Sequence, residues 1–99
     1  MSSIQSQMHD GVLSIQVNGR FTFEVFREFS AAYQGFNEKP QQVEVDLKGA
    51  EYVDSAALGM LLAMHSHFDD DTEIRLANPN ETVRKILQIA RFDKTFEIT

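Results

Sequence analysis

Apolar side chains recur with two different periods along this 99-residue chain, and the changes of period divide it into alternating strands and helices. Residues 4–8 and 12–18 are short segments joined by His9-Asp10-Gly11, and Asp-Gly between two such runs is a hairpin signal. In the second run Leu13, Ile15 and Val17 oppose Ser14 and Gln16, although Val12 makes the alternation imperfect. Asn18-Gly19-Arg20-Phe21-Thr22 then punctuates the chain. Beyond it Phe23, Phe26, Phe29, Ala32, Tyr33 and Phe36 are spaced by three and four, which predicts an amphipathic helix over 23–35 with Thr22 as its N-cap. Val43, Val45 and Leu47 share one face of a short strand over 43–47, with Asp46 near its end. Residues 55–68 read as a second helix, and Asp69-Asp70-Asp71-Thr72 breaks it. A strand over 73–77 follows, then a helix capped by Asn80 and running to about Arg91, then a closing edge strand over 96–98.

Strands that alternate with helices imply right-handed crossovers between neighbouring parallel strands. The predicted fold class is α/β, a small mixed β-sheet with an N-terminal hairpin and helices packed mainly on one face. The chain has no internal repeat and no linker, so residues 1–99 form a single domain.

The central helix has two oily faces. On a wheel of 100° per residue, Leu58, Leu61, Leu62, His65 and Phe68 share one arc and make a sufficient core stripe. Ala56, Met60, Ala63, Met64 and His67 occupy much of the opposite side, where a surface helix normally carries Lys, Glu or Gln. Ala56, Met60 and Met64 are spaced i, i+4 and i+8, so they form a ridge starting beside Ser55. Either another element of the chain covers this ridge, or it is a docking surface to which adaptable methionines are suited; the docking reading is preferred.

Ser55 sits where an N-cap belongs, a role worth on the order of 1 kcal/mol. A phosphoryl group there would meet unpaired backbone N–H groups and the positive end of the helix, against repulsion from Asp54. It would add about −1.5 to −2 charge at the head of an apolar ridge, which is enough to repel a docked partner.

Composition narrows the functions available. One core burying above roughly 60% of the unfolded surface is expected at this length. Nine basic against fifteen acidic residues give a net charge of −6, so the long-range field repels nucleic acid and anionic lipid. With no cysteine, neither a disulfide framework nor a thiolate zinc site is available. The N-terminal residues have no basic segment followed by an apolar one, and no run reaches the roughly 18 apolar residues that span a bilayer. A cytoplasmic location without membrane insertion is expected.

Catalytic and metal constellations fare poorly. His65 lies ten residues along the same helix from Ser55, about 15 Å at 1.5 Å per residue, too far for a nucleophile and base. His65 and His67 point to different sides and lack the spacing of a helical zinc site, and read as one partly buried and one exposed histidine. Asp69-Asp70-Asp71-Thr72-Glu73 lacks the glycine and spaced oxygens of a calcium loop and reads as a solvated turn. Asn80-Glu81-Thr82 fits a glycosylation sequon but is more simply a helix start, and Arg84, Lys85, Arg91 and Lys94 read as a solvated basic face. The chain is expected not to be an enzyme and to need no cofactor or metal.

The stretch VEVDLKGAEYVDSAALGMLL, residues 43–62, resembles the core motif of STAS domains, the single-domain anti-sigma factor antagonists of bacteria. In it a strand ends in Asp-Leu and Asp-Ser-x-x-Leu-Gly opens a helix. NGRF at 18–21 and LANPNETVRKILQIARFDKTFEI at 76–98 extend the likeness over essentially the whole chain. The resemblance implies that Ser55 is the phosphoacceptor of a partner-switching module. Unphosphorylated, such an antagonist binds an anti-sigma factor, often itself a serine kinase; phosphorylation ends the binding and a serine phosphatase restores it. Carried over, Asp54 is the motif neighbour of Ser55, Leu58 and Gly59 complete the helix start, and Asp46 matches the acidic residue at the strand end. Ala56 and Ala57 stand where a second hydroxyl residue and a glycine are frequent in the family. Partner contact is expected at Asp54, Ser55, Ala56, Gly59, Met60, Ala63 and Met64. A diguanylate cyclase or flagellar regulator is a further partner class for the same fold, and an accessory subunit of a membrane ABC transporter, without phosphorylation, is the alternative function.

Overall fold

The computed structural model describes residues 3–99. In chain order the elements are β1 (Ile4–His9), β2 (Val12–Phe21), a 3-10 turn (Phe23–Val25), α1 (Phe26–Gln34), β3 (Gln42–Val53) and α2 (Ser55–His67). β4 (Glu73–Ala77), α3 (Glu81–Ile89), a second 3-10 turn (Phe92–Lys94) and β5 (Glu97–Ile98) complete the chain. The five strands form one sheet in the order β1-β2-β3-β4-β5, antiparallel between β1 and β2 and parallel thereafter. This is the predicted mixed α/β architecture. Asp10 and Gly11 both take positive φ, 51° and 79°, the two-residue hairpin turn that the twist of antiparallel strands favours.

Alternation along the strands decides which face is covered. Leu13, Ile15, Val17, Val43, Val45, Leu47, Ile74 and Leu76 are buried beneath the helices. Ser14, Gln16, Glu44, Asp46 and Arg75 occupy the intervening positions, so the other face is polar. Each fully buried branched side chain contributes about 1.5–3 kcal/mol of transfer free energy, and this one-sided core carries most of the stability.

Three elements depart from the expected boundaries. β2 continues to Phe21 and β3 to Val53, so the segment after Leu47 that reads as a turn is strand. The ladder accommodates this by slipping register between Gln16 and Asn18 and again between Gly19 and Arg20. Gly49, opposite Asn18, permits the slip, because a Cβ there would fall inside the Asn18 carboxamide. The first helix begins in a 3-10 turn, which shifts its period: Val25 turns inward, while Phe23 and Phe26 are 66% and 43% exposed. Thr22 is extended and its side chain makes no capping bond, since the turn closes through its carbonyl instead, which accepts the Val25 N–H at 3.1 Å.

The last helix follows expectation at its start. The Asn80 Oδ1 accepts the Val83 N–H at 2.8 Å, and its Nδ2 donates to the Ala50 carbonyl at 3.1 Å, tying α3 to β3. Among the described residues no helix is long and apolar enough to cross a membrane.

Candidate functional site

The site is built where two strands end side by side. Phe21 and Val53 are the last paired residues of β2 and β3, and the Asp54 N–H donates to the Phe21 carbonyl at 3.3 Å. One residue beyond that bond α2 begins; two residues beyond Phe21 the 3-10 turn leading into α1 begins. The starts of both helices are thereby brought to the same end of the sheet.

Asp54, in an extended conformation, caps α2: its Oδ1 accepts the Ala57 N–H at 2.8 Å, and its carbonyl accepts the Leu58 N–H at 3.3 Å. Ser55 is therefore not the N-cap. It is the first residue inside the helix, and it is exposed. The expected cap is displaced by one residue because the carboxylate of Asp54 reaches the same orphan N–H groups as a serine hydroxyl and adds a favourable charge at the helix start.

α2 is rotated about its axis by about a quarter turn from the expected orientation. Its buried residues are Ala57, Met60, Leu61 and Met64, with Met60 at 5% and Met64 at 0% exposure. The Met60 and Met64 ridge is core, not surface, and neither side chain offers a contact to a partner in this conformation. The reason is the breadth of the apolar arc: Leu58, Met60, Leu61, Leu62 and Met64 span more than about half of the wheel, so their spacing does not choose which part of the arc meets the sheet. The sheet takes the longer methionines, and Leu62, assigned to the core by the wheel, is 44% exposed. Leu58 and His65 lie at the half-buried margins, and Ala56 is half-buried on the other side.

The face that remains is a line of small and polar residues with one leucine. Ser55, Gly59, Leu62 and Ser66 follow one another at i, i+4, i+7 and i+11, with Ala63 beside them, and all are exposed. Of the expected contact residues, the structure leaves Ser55, Gly59 and Ala63 together on this surface, with Asp54 and Ala56 at its edge.

Sequence reasoning missed the aromatic groups at the same end. Phe23 and Phe26 stack with ring centroids 5.6 Å apart and planes inclined by 16°. Tyr52, 44% exposed, lies under the Arg20 guanidinium, whose central carbon is 5.1 Å from the ring centroid. The available signal was an excess: "FTFEVF" carries more large apolar groups than one core stripe uses, so some had to face outward.

Histidines lie elsewhere in the packing. His65 meets Phe96 edge-on at 5.4 Å and His67 meets Tyr33 at 5.0 Å, which places aromatic partners beside both. Among the described residues no group of three His, Cys, Asp or Glu is arranged to hold a metal ion. The acidic turn after α2 is bound down by Lys39, whose ammonium pairs with Asp69 and lies 4.0 Å from Asp71. The hydrogen bond to Asp69 raises the Lys39 pKa, and the same bond lowers that of Asp69. Asp46 accepts from the Lys48 N–H at 2.9 Å and from the Asn78 Nδ2 at 3.3 Å, so it steadies the irregular part of β3 and the left-handed Asn78.

Comparison with known proteins adds to this geometry. The sequence profile of the family described as Mlab, STAS domain matches residues 4–98. A STAS-domain containing protein of Pseudomonas aeruginosa (strain UCBPP-PA14) is 43% identical over 88 residues, covering 88% of this chain and 87% of its own. An anti-sigma factor antagonist from Mycobacterium paratuberculosis superimposes with a TM-score of 0.81 at 21% identity, over 96% of this chain and 82% of its own. A sulfate transporter family protein from Wolinella succinogenes also gives 0.81, at 16% identity over 93% and 79% of the two chains. The anti-sigma factor antagonist SpoIIAA in its unphosphorylated form gives 0.70 at 17% identity, over 97% and 86%. At such identities the three structures share the fold.

Proposed function

Since the chain belongs to the STAS domain family, we propose that it is a non-enzymatic anti-sigma factor antagonist switched at Ser55. Unphosphorylated, it binds an anti-sigma factor or equivalent regulator through the exposed face of α2; a serine kinase, commonly that partner itself, ends the binding and a serine phosphatase restores it. The observation that carries this reading is the position of Ser55. Its side chain is exposed at the first position of α2, and Gly59, Leu62 and Ala63 continue the same surface. A phosphate there meets the positive helix end and alters the contact face without entering the core.

The expected contact set changes accordingly. Ser55, Gly59, Leu62 and Ala63 form the central line, Asp54 and Ala56 its margin, and Phe23 and Phe26 supply apolar anchors at the same end of the sheet; Met60 and Met64 support this face from beneath. The test is binding of the isolated anti-sigma partner by Ser55→Asp, Ser55→Ala and the unmodified protein. Capture lost in the first and kept in the other two supports the reading; equal affinity of all three overturns it.

A second reading is favoured by the fold shared with a sulfate transporter family protein. In it the same α2 face docks a membrane ABC transporter complex as an accessory subunit, with no phosphorylation. Intact-mass measurement of protein recovered from its host separates the two: phosphate on Ser55 belongs only to the switch.

A further inference from the structure

We propose that the outer edge of β1 pairs antiparallel with β1 of a second copy of this chain, centred on Ser6, to give a reversible dimer. The phase of the hairpin fixes which backbone groups are available. The Asn18 N–H donates to the Ser3 carbonyl at 2.8 Å, and Ile4 stands opposite Val17. Directly bonded pairs and non-bonded pairs alternate along an antiparallel ladder, so Gln5, Gln7 and His9 exchange their N–H and C=O groups with β2. Ser6 and Met8 direct theirs outward.

Sheet edges are ordinarily blunted by charge, proline, bulges or brevity. β5 is: it has two residues, Glu97 pairs with Arg75 at 3.7 Å, and the Thr99 carbonyl beyond it accepts from the Arg84 Nη2 at 3.2 Å. Among the described residues β1 shows none of these devices. It runs six residues in unbroken register, without proline, and Ile4 to Met8 contains no charged residue.

The second copy is the occupant because this strand is complementary to itself. With Ser6 opposite Ser6 of the second copy, each donates to the other's carbonyl. Gln5 then faces Gln7 of the second copy on the polar side. On the helix side Ile4, buried, and Met8, half-buried against the core, fall opposite each other, so the two hydrophobic cores become continuous across the junction. Two copies of a chain carrying −6 repel each other in general, and this neutral stretch offers a path on which no like charges meet. The two Asp10 residues lie at opposite ends of the paired strands. A junction of six residues a side is small, so association is expected at the weak end of specific interfaces.

Sedimentation velocity across a concentration series tests the proposal on the full chain. The unmodified protein is expected to shift from monomer to dimer with increasing concentration. Ser6→Pro removes the outward N–H, a change that edge strands tolerate, and Gln5→Lys with Gln7→Lys places like charges opposite each other. Either is expected to lower the dimer fraction at least tenfold at about 100 μM while the charge variant keeps its melting temperature within a few degrees. If Ser6→Pro does not fold, the double lysine variant decides. A protein that stays monomeric throughout the series, or a dimer indifferent to the charge variant, overturns the proposal.

Discussion

The Asp54 carboxylate accepts the Ala57 N–H at 2.8 Å, and this bond leaves the hydroxyl of the neighbouring Ser55 with no structural duty at the start of α2. Two tasks that one serine could have combined are held by adjacent residues. Asp54→Ala is expected to lower stability by about 1 kcal/mol, the usual loss of a cap. Ser55→Ala, at an exposed first-turn position, is expected to stay within about 0.5 kcal/mol of the unmodified protein. Urea denaturation of both variants checks this, and a larger loss in Ser55→Ala than in Asp54→Ala would place the cap at Ser55.

Met60→Lys is expected to destabilise the fold by about 3 kcal/mol or more, because it buries a charge where the side chain is 5% exposed. Leu62→Lys, two residues further along and so about half a turn round the helix, is 44% exposed and is expected to cost less than about 1 kcal/mol. A thermal melt distinguishes them: near-equal midpoints would mean that α2 presents a different arc to the sheet.

How much of this was legible in the sequence follows from that same helix. The strands could be read because Val43, Val45 and Leu47 alternate with charged neighbours, and α3 because Asn80 sits ahead of a helix with a polar side. The orientation of α2 could not be read, since Leu58, Met60, Leu61, Leu62 and Met64 cover an arc wider than one core stripe needs, and the packing against the sheet then decides which of them are buried. The capping residue was ambiguous for a different reason: aspartate and serine are both strong caps, and a shift of one residue satisfies the same N–H groups. Phe23 and Phe26 fit the helical period, and only the 3-10 turn, which period alone does not reveal, turns them out to solvent.

Phe23→Ser should leave the melting temperature within a few degrees and weaken capture of the anti-sigma partner at least tenfold, the size of effect typical of an exposed aromatic anchor. Pull-down against a titration of partner gives the affinity. Undiminished binding by this variant and by Leu62→Lys would move the docking face away from the helix starts.

The Lys39 and Asp69 pair predicts the direction of a pH effect. The Asp69 pKa is lowered by the Lys39 hydrogen bond, so its contribution is present above the ordinary carboxylate value and is lost as pH falls through the lowered one. The Lys39 pKa is raised by Asp69, so its contribution is present below the ordinary lysine value and disappears as pH rises through the raised one. Both groups are exposed and screened by solvent. Lys39→Met is therefore expected to remove a small stabilisation throughout the neutral range and none at the acid extreme, as read from denaturation midpoints at several pH values. A difference that grows toward acid would contradict the pairing.

The bond from the Asp54 N–H to the Phe21 carbonyl is the last rung joining β2 to β3, and both helix starts hang from it. Ladders fray from their ends, so this rung opens at lower free-energy cost than the core amides. Such an opening is expected to loosen Ser55 and Phe23 together while the buried Leu13 and Val45 stay locked. The proposed docking face is therefore expected to open independently of the core, and hydrogen exchange at the Asp54 amide would measure it.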